Sequence, residues 1–148
     1  MRIAIGCDHA GPEVKAQLAE YIEGLGHEVI DLGTDGPDRV DYPDYAQKVC
    51  ETVQSGDAEL GVLICGTGIG MSIAANKFSG IRAANVTLPQ IAPLARQHND
   101  ANVLTLSARF VDVETNKQIV RNFLEASFEG GRHSQRLAKI EKIENERR

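Results

Sequence analysis

The segment Leu60-Gly61-Val62-Leu63-Ile64 constrains this chain more than any other. It has no polar position, so it has no face to show to water. A strand of that kind belongs inside a parallel sheet covered by helices on both sides. Around it, short apolar runs alternate with stretches of helical spacing. Ile3-Ala4-Ile5 reads as a strand, and Val14, Leu18, Ile22 and Leu25 follow at intervals of three and four. Val29-Ile30 opens another strand. Residues 34–43, rich in Gly, Pro and Asp, form a loop. Helices are expected over 45–53, 71–77, 90–97, 112–128 and 134–146, and strands over 81–86 and 103–106. Pro89 and Pro93 suit the first turn of their helix. Strands alternating with helices, joined by short right-handed crossovers, give a three-layer α/β/α sandwich around a five-stranded parallel sheet, with a helical tail. Strand order is not encoded in this pattern.

A length of 148 residues with 42% hydrophobic content suits one domain, expected over 1–148. No apolar run approaches the roughly 20 residues of a membrane helix. The N-terminus enters a strand directly, without signal-peptide organisation, so a cytoplasmic location is expected. The net charge of −5 disfavours nucleic acid as a partner. Cys7, Cys50 and Cys65 make an odd count without a CxxC pair. That argues against a disulfide framework and against structural zinc. Gly130-Gly131 breaks the chain before the last helix, whose apolar stripe (Leu137, Ile140, Ile143) is thin. That helix, about 134–146, either packs on its own domain or reaches a partner subunit.

Ligands of open parallel sheets bind beyond the carboxyl ends of the strands. Cys7-Asp8-His9, Cys65 to Gly70, Thr87 and Arg109 all fall there. Gly66-Thr67-Gly68-Ile69-Gly70 exposes backbone N–H groups at a helix start, a setting for a phosphate or a developing oxyanion. It lacks the GK[ST] of a Walker loop and is not a clean GxGxxG. A tight turn explains one or two glycines; three in five residues, beside Cys65 and Thr67, favour a functional loop. For Cys65, position alone leaves a reactive thiol and an inert buried one equally open. Cys7 and Cys50 are assigned to packing. Asp8-His9 suits proton transfer or phosphate binding, or a simple turn pair. His98-Asn99-Asp100 reads as a polar cluster or as a helix C-cap with Asn99 as the cap. Arg132 and Arg136, four apart, can share a helix face and, with His133, hold a phosphate dianion, or form a solvated basic face. No metal constellation and no dinucleotide fingerprint is visible. The residues together suit proton transfer on a small phosphorylated substrate.

The stretches Gly6-Cys7-Asp8-His9-Ala10-Gly11, Asp41-Tyr42-Pro43, Cys65 through Lys77, Gly80-Ile81-Arg82-Ala83, His98 through Val103 and Gly130-Gly131-Arg132-His133 resemble the type B ribose-5-phosphate isomerases, in order and over nearly the whole chain. The galactose-6-phosphate isomerase subunits belong to the same family. The resemblance implies a Rossmann-like fold and a homodimer, or a tetramer built from it, with active sites shared between subunits. It implies a cofactor-free and metal-free aldose–ketose isomerisation through an enediolate, part of the non-oxidative pentose phosphate pathway. The roles the resemblance implies follow residue by residue: Cys65 moves the proton between C1 and C2. Thr67 and the N–H groups of Gly66 to Gly70, Gly68 included, stabilise the enediolate. His98, assisted by Asp8, opens the furanose ring, and Tyr42 and Asn99 hold hydroxyls. His9, Arg109, Arg132 and Arg136 bind phosphate, the last two from the partner subunit.

Met71 stands where another branch carries a Glu base, which places this chain in the thiol branch. Residues 88–93 and Ser107 depart from the family pattern, Ser107 replacing a usual Gly. Those departures bear on substrate breadth, so allose 6-phosphate and galactose 6-phosphate stay open as substrates. A non-catalytic phosphosugar-binding module needs the phosphate clamp but no base. A redox-sensing thiol protein needs a resolving cysteine that the sequence does not offer.

Overall fold

A computed structural model describes residues 1–147; Arg148 lies outside the described residues. The elements run β1 (Arg2–Cys7), α1 (Pro12–Gly24), β2 (Glu28–Asp31), α2 (Tyr42–Gln54), β3 (Leu60–Cys65), α3 (Ile69–Ala75), β4 (Ala83–Asn85), α4 (Ala92–Asn99), β5 (Val103–Ser107), α5 (Val113–Glu125) and α6 (Arg132–Glu146). The five strands form one parallel sheet in the order β2-β1-β3-β5-β4. All of β3 is buried, as its apolar sequence requires. The edge strands β2 and β4 are short and partly exposed.

Side chains alternate between two cores, because successive strand residues point to opposite faces. Ile3, Ile5, Cys7, Val62, Ile64, Leu104 and Leu106 pack on the face covered by α1, α4 and α5. Ala4, Leu63, Cys65 and Val103 pack on the face of α2 and α3. The three layers expected from sequence are present, and α6 lies outside them with no buried residue.

Element ends differ from the sequence reading for local reasons. Helix α2 begins at Tyr42, a turn earlier than expected, because Pro43 fits a first turn where its missing N–H costs nothing. Helix α3 begins at Ile69, directly after Gly68 in the left-handed region (φ 82). Helix α4 runs on through His98 and Asn99. Its C-cap is Asp100 rather than Asn99, with φ 45, and the Asp100 carboxylate is held by Arg96 (2.8 Å) and Arg82 (3.2 Å). Helix α6 starts at Arg132, so Arg132 and Arg136 do stand one turn apart on a helix.

One buried charge organises the loop after β2. The Lys15 side chain is 2% exposed, and its Nζ donates to Asp31 (2.6 and 2.7 Å) and to Asp35 (2.7 Å). Asp31 also accepts from the Gly33 N–H at 2.9 Å. Burial pushes the Lys15 pKa down, and the hydrogen bonds it donates to Asp31 and then Asp35 outweigh it, leaving the pKa raised above 10.5. The resulting stabilisation is complete below that ordinary value and disappears as pH climbs through the higher folded value. Lys15→Met is expected to lower stability by about 2 kcal/mol in urea unfolding at neutral pH. That is below the roughly 3–5 kcal/mol of a fully buried pair, because both carboxylates reach solvent. The difference from the parent protein should shrink as pH rises above the lysine range.

Candidate active site

Strands β1 and β3 are neighbours, but the chain leaves them in opposite directions. After β1 it crosses to β2 on one side; after β3 it crosses to β4 on the other. That divergence opens a crevice at the carboxyl ends of the two strands. Cys7-Asp8-His9 and Cys65 to Gly70 enter it together.

Cys65 ends β3 on the α2/α3 face and is 5% exposed. The Gly68 N–H donates to its Sγ at 3.2 Å. The other two thiols lie in apolar surroundings. Burial pushes Cys7 up to about 11 and Cys50 up to about 12. The Cys7 Sγ donates to Thr34 O at 3.4 Å and the Cys50 Sγ to Ala75 O at 4.0 Å. Both fit their assignment to packing.

Each glycine of the loop has its own physical reason. Gly68 takes a positive φ, and a Cβ there would meet the Asn85 side chain at 2.4 Å. A Cβ on Gly70 would stand 2.7 Å from the Tyr42 ring, so glycine lets the phenol lie over the start of α3. A Cβ on Gly66 would stand 3.2 Å from Arg109 Nη1, so the guanidinium rests on this backbone. Two N–H groups of the loop are already engaged: Gly68 donates to sulfur, and Ile69 donates to Thr67 Oγ1 at 3.1 Å. The exposed Thr67 hydroxyl, one residue before the Gly68 N-cap, therefore accepts from the first N–H of α3.

The loop is fixed to β5 by Ser107, a residue to which the sequence reading gave no role in the site. Its Oγ donates to Gly66 O (2.7 Å) and accepts from the Phe110 N–H (3.0 Å). The Ser107 carbonyl accepts from the buried Asn116 Nδ2 at 2.9 Å. In the sequence Ser107 stands out only as a departure from the family's usual Gly, and the bonds it makes carry no local signal. On the β1 side, Asp8 is 7% exposed, and one carboxylate oxygen accepts from the Ala10 N–H at 2.9 Å. His9 Nδ1 lies 3.2 Å from Val40 O, so the loop that leads to Tyr42 is tied to β1.

His98, Asn99, Arg132 and Arg136 are elsewhere. Helix α4 runs antiparallel to the strands, so its last turn sits near the start of β5. Arg82, just before β4, donates to Asn99 O (3.1 Å), and its N–H donates to Asn102 Oδ1 (2.8 Å) just before Val103. In the β3–β5 register, Val103 pairs with Gly61, whereas Cys65 pairs with Ser107. Four residues of strand, about 13 Å, separate the two levels. The expected site residues thus fall into two candidate half-sites: Asp8, His9, Tyr42, Cys65 to Gly70 and Arg109 at the carboxyl end, and His98, Asn99 and the arginines of α6 at the other.

In the second half-site His98 stacks on His133, with ring centroids 4.4 Å apart and planes at 16°. Both face Glu129, at 3.7 and 3.8 Å. Glu129 was not singled out from sequence; its only signal was a position one helical turn before His133. The His133 pKa is lowered by burial and then by the neighbouring His98 and Arg132. Among the described residues, no helix is long and apolar enough to cross a membrane.

Residues 3–140 match the Ribose/Galactose Isomerase family. The chain is 50% identical over 146 residues to ribose-5-phosphate isomerase B of Escherichia coli K12, covering 99% of this chain and 98% of that protein. Ribose-5-phosphate isomerase B of Clostridium thermocellum superposes with a TM-score of 0.98 at 49% identity, over the whole of both chains. The Mycoplasma genitalium ribose-5-phosphate isomerase B, solved with bound ribulose-5-phosphate, superposes with a TM-score of 0.94 at 47% identity, over 98% of this chain and 97% of that one.

The three thiols should separate by reactivity. With iodoacetamide near pH 8, Cys65 is expected to be carbamidomethylated first, and Cys7 and Cys50 to stay protected while the fold is intact. Peptide mass spectrometry over time reads the order.

Proposed function

We propose that this chain, which belongs to the Ribose/Galactose Isomerase family, interconverts ribose 5-phosphate and ribulose 5-phosphate with Cys65 as the base. The observation that carries the reading is the Gly68 N–H on the Cys65 sulfur at the switch-point crevice. It equips the thiol to take up and return a proton, whereas the other two thiols are held in their neutral form. A module that only bound phosphosugars would have no use for that arrangement.

The reaction needs four things from the protein. The furanose ring must open, and His98 with Asp8 is suited to move that proton. The C2 proton of the aldose must be removed and returned to C1, which falls to Cys65. The enediolate oxygens need donors that do not reorganise, and Thr67 and the loop backbone stand beside the sulfur. The phosphate needs fixed cations: Arg109 and His9 lie at this crevice, and Arg132 and Arg136 stand one turn apart at the head of α6. Tyr42, held over Gly70, and Asn99 are assigned to sugar hydroxyls.

The separation of the half-sites supports a homodimer in which His98, Asn99, Arg132 and Arg136 of one subunit complete the crevice of the other. Exposed apolar side chains support it too: Ile69 and Ile73 on α3 are more than half exposed, as is Ile143 on α6, and Ile140 is half exposed. An isologous pairing buries such faces twice over. We assign the enzyme to the cytoplasm and to the pentose phosphate pathway.

Purified protein is expected to convert ribose 5-phosphate with EDTA present, and Cys65→Ala to lower kcat by about a thousandfold with substrate binding retained. Unchanged turnover in that variant would remove Cys65 as the base. Activity on allose 6-phosphate or galactose 6-phosphate but not on the pentose would keep the chemistry and move the substrate.

Sharing of the site has its own test. Cys65→Ala and His98→Asn proteins, each inactive, are unfolded together and refolded as a mixture. Half the dimers are then mixed, and each holds one intact site, so about a quarter of the parent activity should return. No recovery would place both residues in one subunit's site.

A further inference from the structure

Ser107 pairs with Cys65 in the register of β3 and β5 and is 1% exposed. The family pattern usually has Gly at this position. A hydroxyl buried in an apolar strand is costly unless it is hydrogen-bonded. This one is bonded twice, and both bonds go to the turn beside Cys65 rather than into the sheet. The Oγ donates to Gly66 O at 2.7 Å and accepts from the Phe110 N–H at 3.0 Å. The Arg109 N–H also donates to Gly66 O, at 3.1 Å, so the end of β5 fills both lone pairs of that carbonyl.

The Gly66 carbonyl shares a peptide plane with the Thr67 N–H. In a trans peptide the two point in opposite directions. Strands β5 and β1 flank β3 on opposite sides, and the crevice lies on the β1 side. With Gly66 O drawn toward β5, the Thr67 N–H is turned toward the crevice. Thr67 is exposed, and its N–H has no hydrogen-bond partner among the described residues. We propose that Ser107 is a positioning residue for the isomerisation: through Gly66 O it holds the Gly66–Thr67 peptide so that the Thr67 N–H stays aimed at the enediolate. The proposal deepens the isomerase reading and rests on it.

A second buried polar group stands behind Ser107. Asn116 of α5 is fully buried, and its Nδ2 donates to Ser107 O at 2.9 Å. Its Oδ1 has no partner among the described residues. A core amide with an unpaired oxygen is more costly than an apolar side chain of the same size. What the amide supplies is the bond that fixes the backbone of Ser107. Helix α5, strand β5 and the Cys65 loop are thereby joined by a short series of hydrogen bonds. Preorganised donors contribute most to catalysis when nothing must move as charge develops.

The test uses full-length protein carrying Ser107→Ala or Ser107→Gly. The second variant restores the residue usual in the family pattern, so it guards against a failure to fold. Each protein is titrated by calorimetry with 4-phosphoerythronohydroxamate, whose two oxygens copy the cis-enediolate. The stoichiometry counts folded sites, so kcat is expressed per site. Losing one oxyanion donor outright costs roughly a hundredfold or more; a donor that is loosened rather than removed costs less. In both variants kcat is expected to fall about tenfold, with KM for ribose 5-phosphate within about twofold of the parent. Affinity for the hydroxamate should fall in step with kcat, because both report enediolate binding.

A purely structural role predicts fewer folded sites with kcat per site and hydroxamate affinity unchanged, and that result overturns the proposal. So does an equal rise in KM with kcat retained. The rate at which iodoacetamide modifies Cys65 is read in parallel and needs no turnover. It should rise at least about threefold in both variants while Cys7 and Cys50 stay protected. If the parent protein does not turn over ribose 5-phosphate, the isomerase reading fails by itself. The alkylation rate then decides on Ser107: a faster rate upholds its hold on the loop, and an unchanged rate overturns it.

Discussion

The turn from β3 into α3 sets the position of everything around Cys65. Gly68 alone of this loop takes a left-handed backbone, and that conformation points its N–H at the sulfur three residues earlier. Once the turn has this shape, Gly66 and Gly70 lie on its outer surface, where a guanidinium and a phenol come to rest. Ser107 then locks the loop to the neighbouring strand, so the donor and the sulfur keep their spacing without help from substrate. Preorganisation of this kind is what gives an oxyanion site its value, since nothing must rearrange as charge develops.

The direction of the crossover helices explains why His98 and Asn99 stand far from Cys65 within one chain. In a parallel sheet every crossover helix runs back toward the amino ends of the strands. A residue in the last turn of such a helix is carried away from the crevice by the length of a strand. His98 and Asn99 are in that position, and Glu129 joins α6 to the same end. The dimer proposed above would bring these residues to the crevice of a second copy, and the exposed apolar residues of α3 and α6 are consistent with such a pairing.

Much of this was legible in the sequence. The uninterrupted apolar run of β3, together with helical spacing after Ile5, was enough for the layer architecture, because burial on both faces leaves few alternatives. The CGTGIG turn was legible as a site because glycine is needed where backbone or side chains approach closely. Helix starts at Tyr42, Ile69 and Arg132 were misplaced by two or three residues. There the deciding factors were a proline in a first turn or a glycine with positive φ, which periodicity does not see. Strand order, the Ser107 and Asn116 bonds and the meeting of His98 with Glu129 and His133 depend on tertiary neighbours, and no local pattern announces them.

The three cysteines make the same point chemically. They are one residue type, all buried and all free thiols. Cys7 and Cys50 lie among apolar atoms, where a thiolate would lose its hydration and gain little, so their protons are held more tightly. Cys65 has similar burial, but it sits at a strand end where a backbone donor, a helix start and a crevice coincide. The surroundings of its sulfur are therefore polar on one side, with a donor that the other two lack. Residue type and burial do not distinguish the three; the direction of one N–H group does.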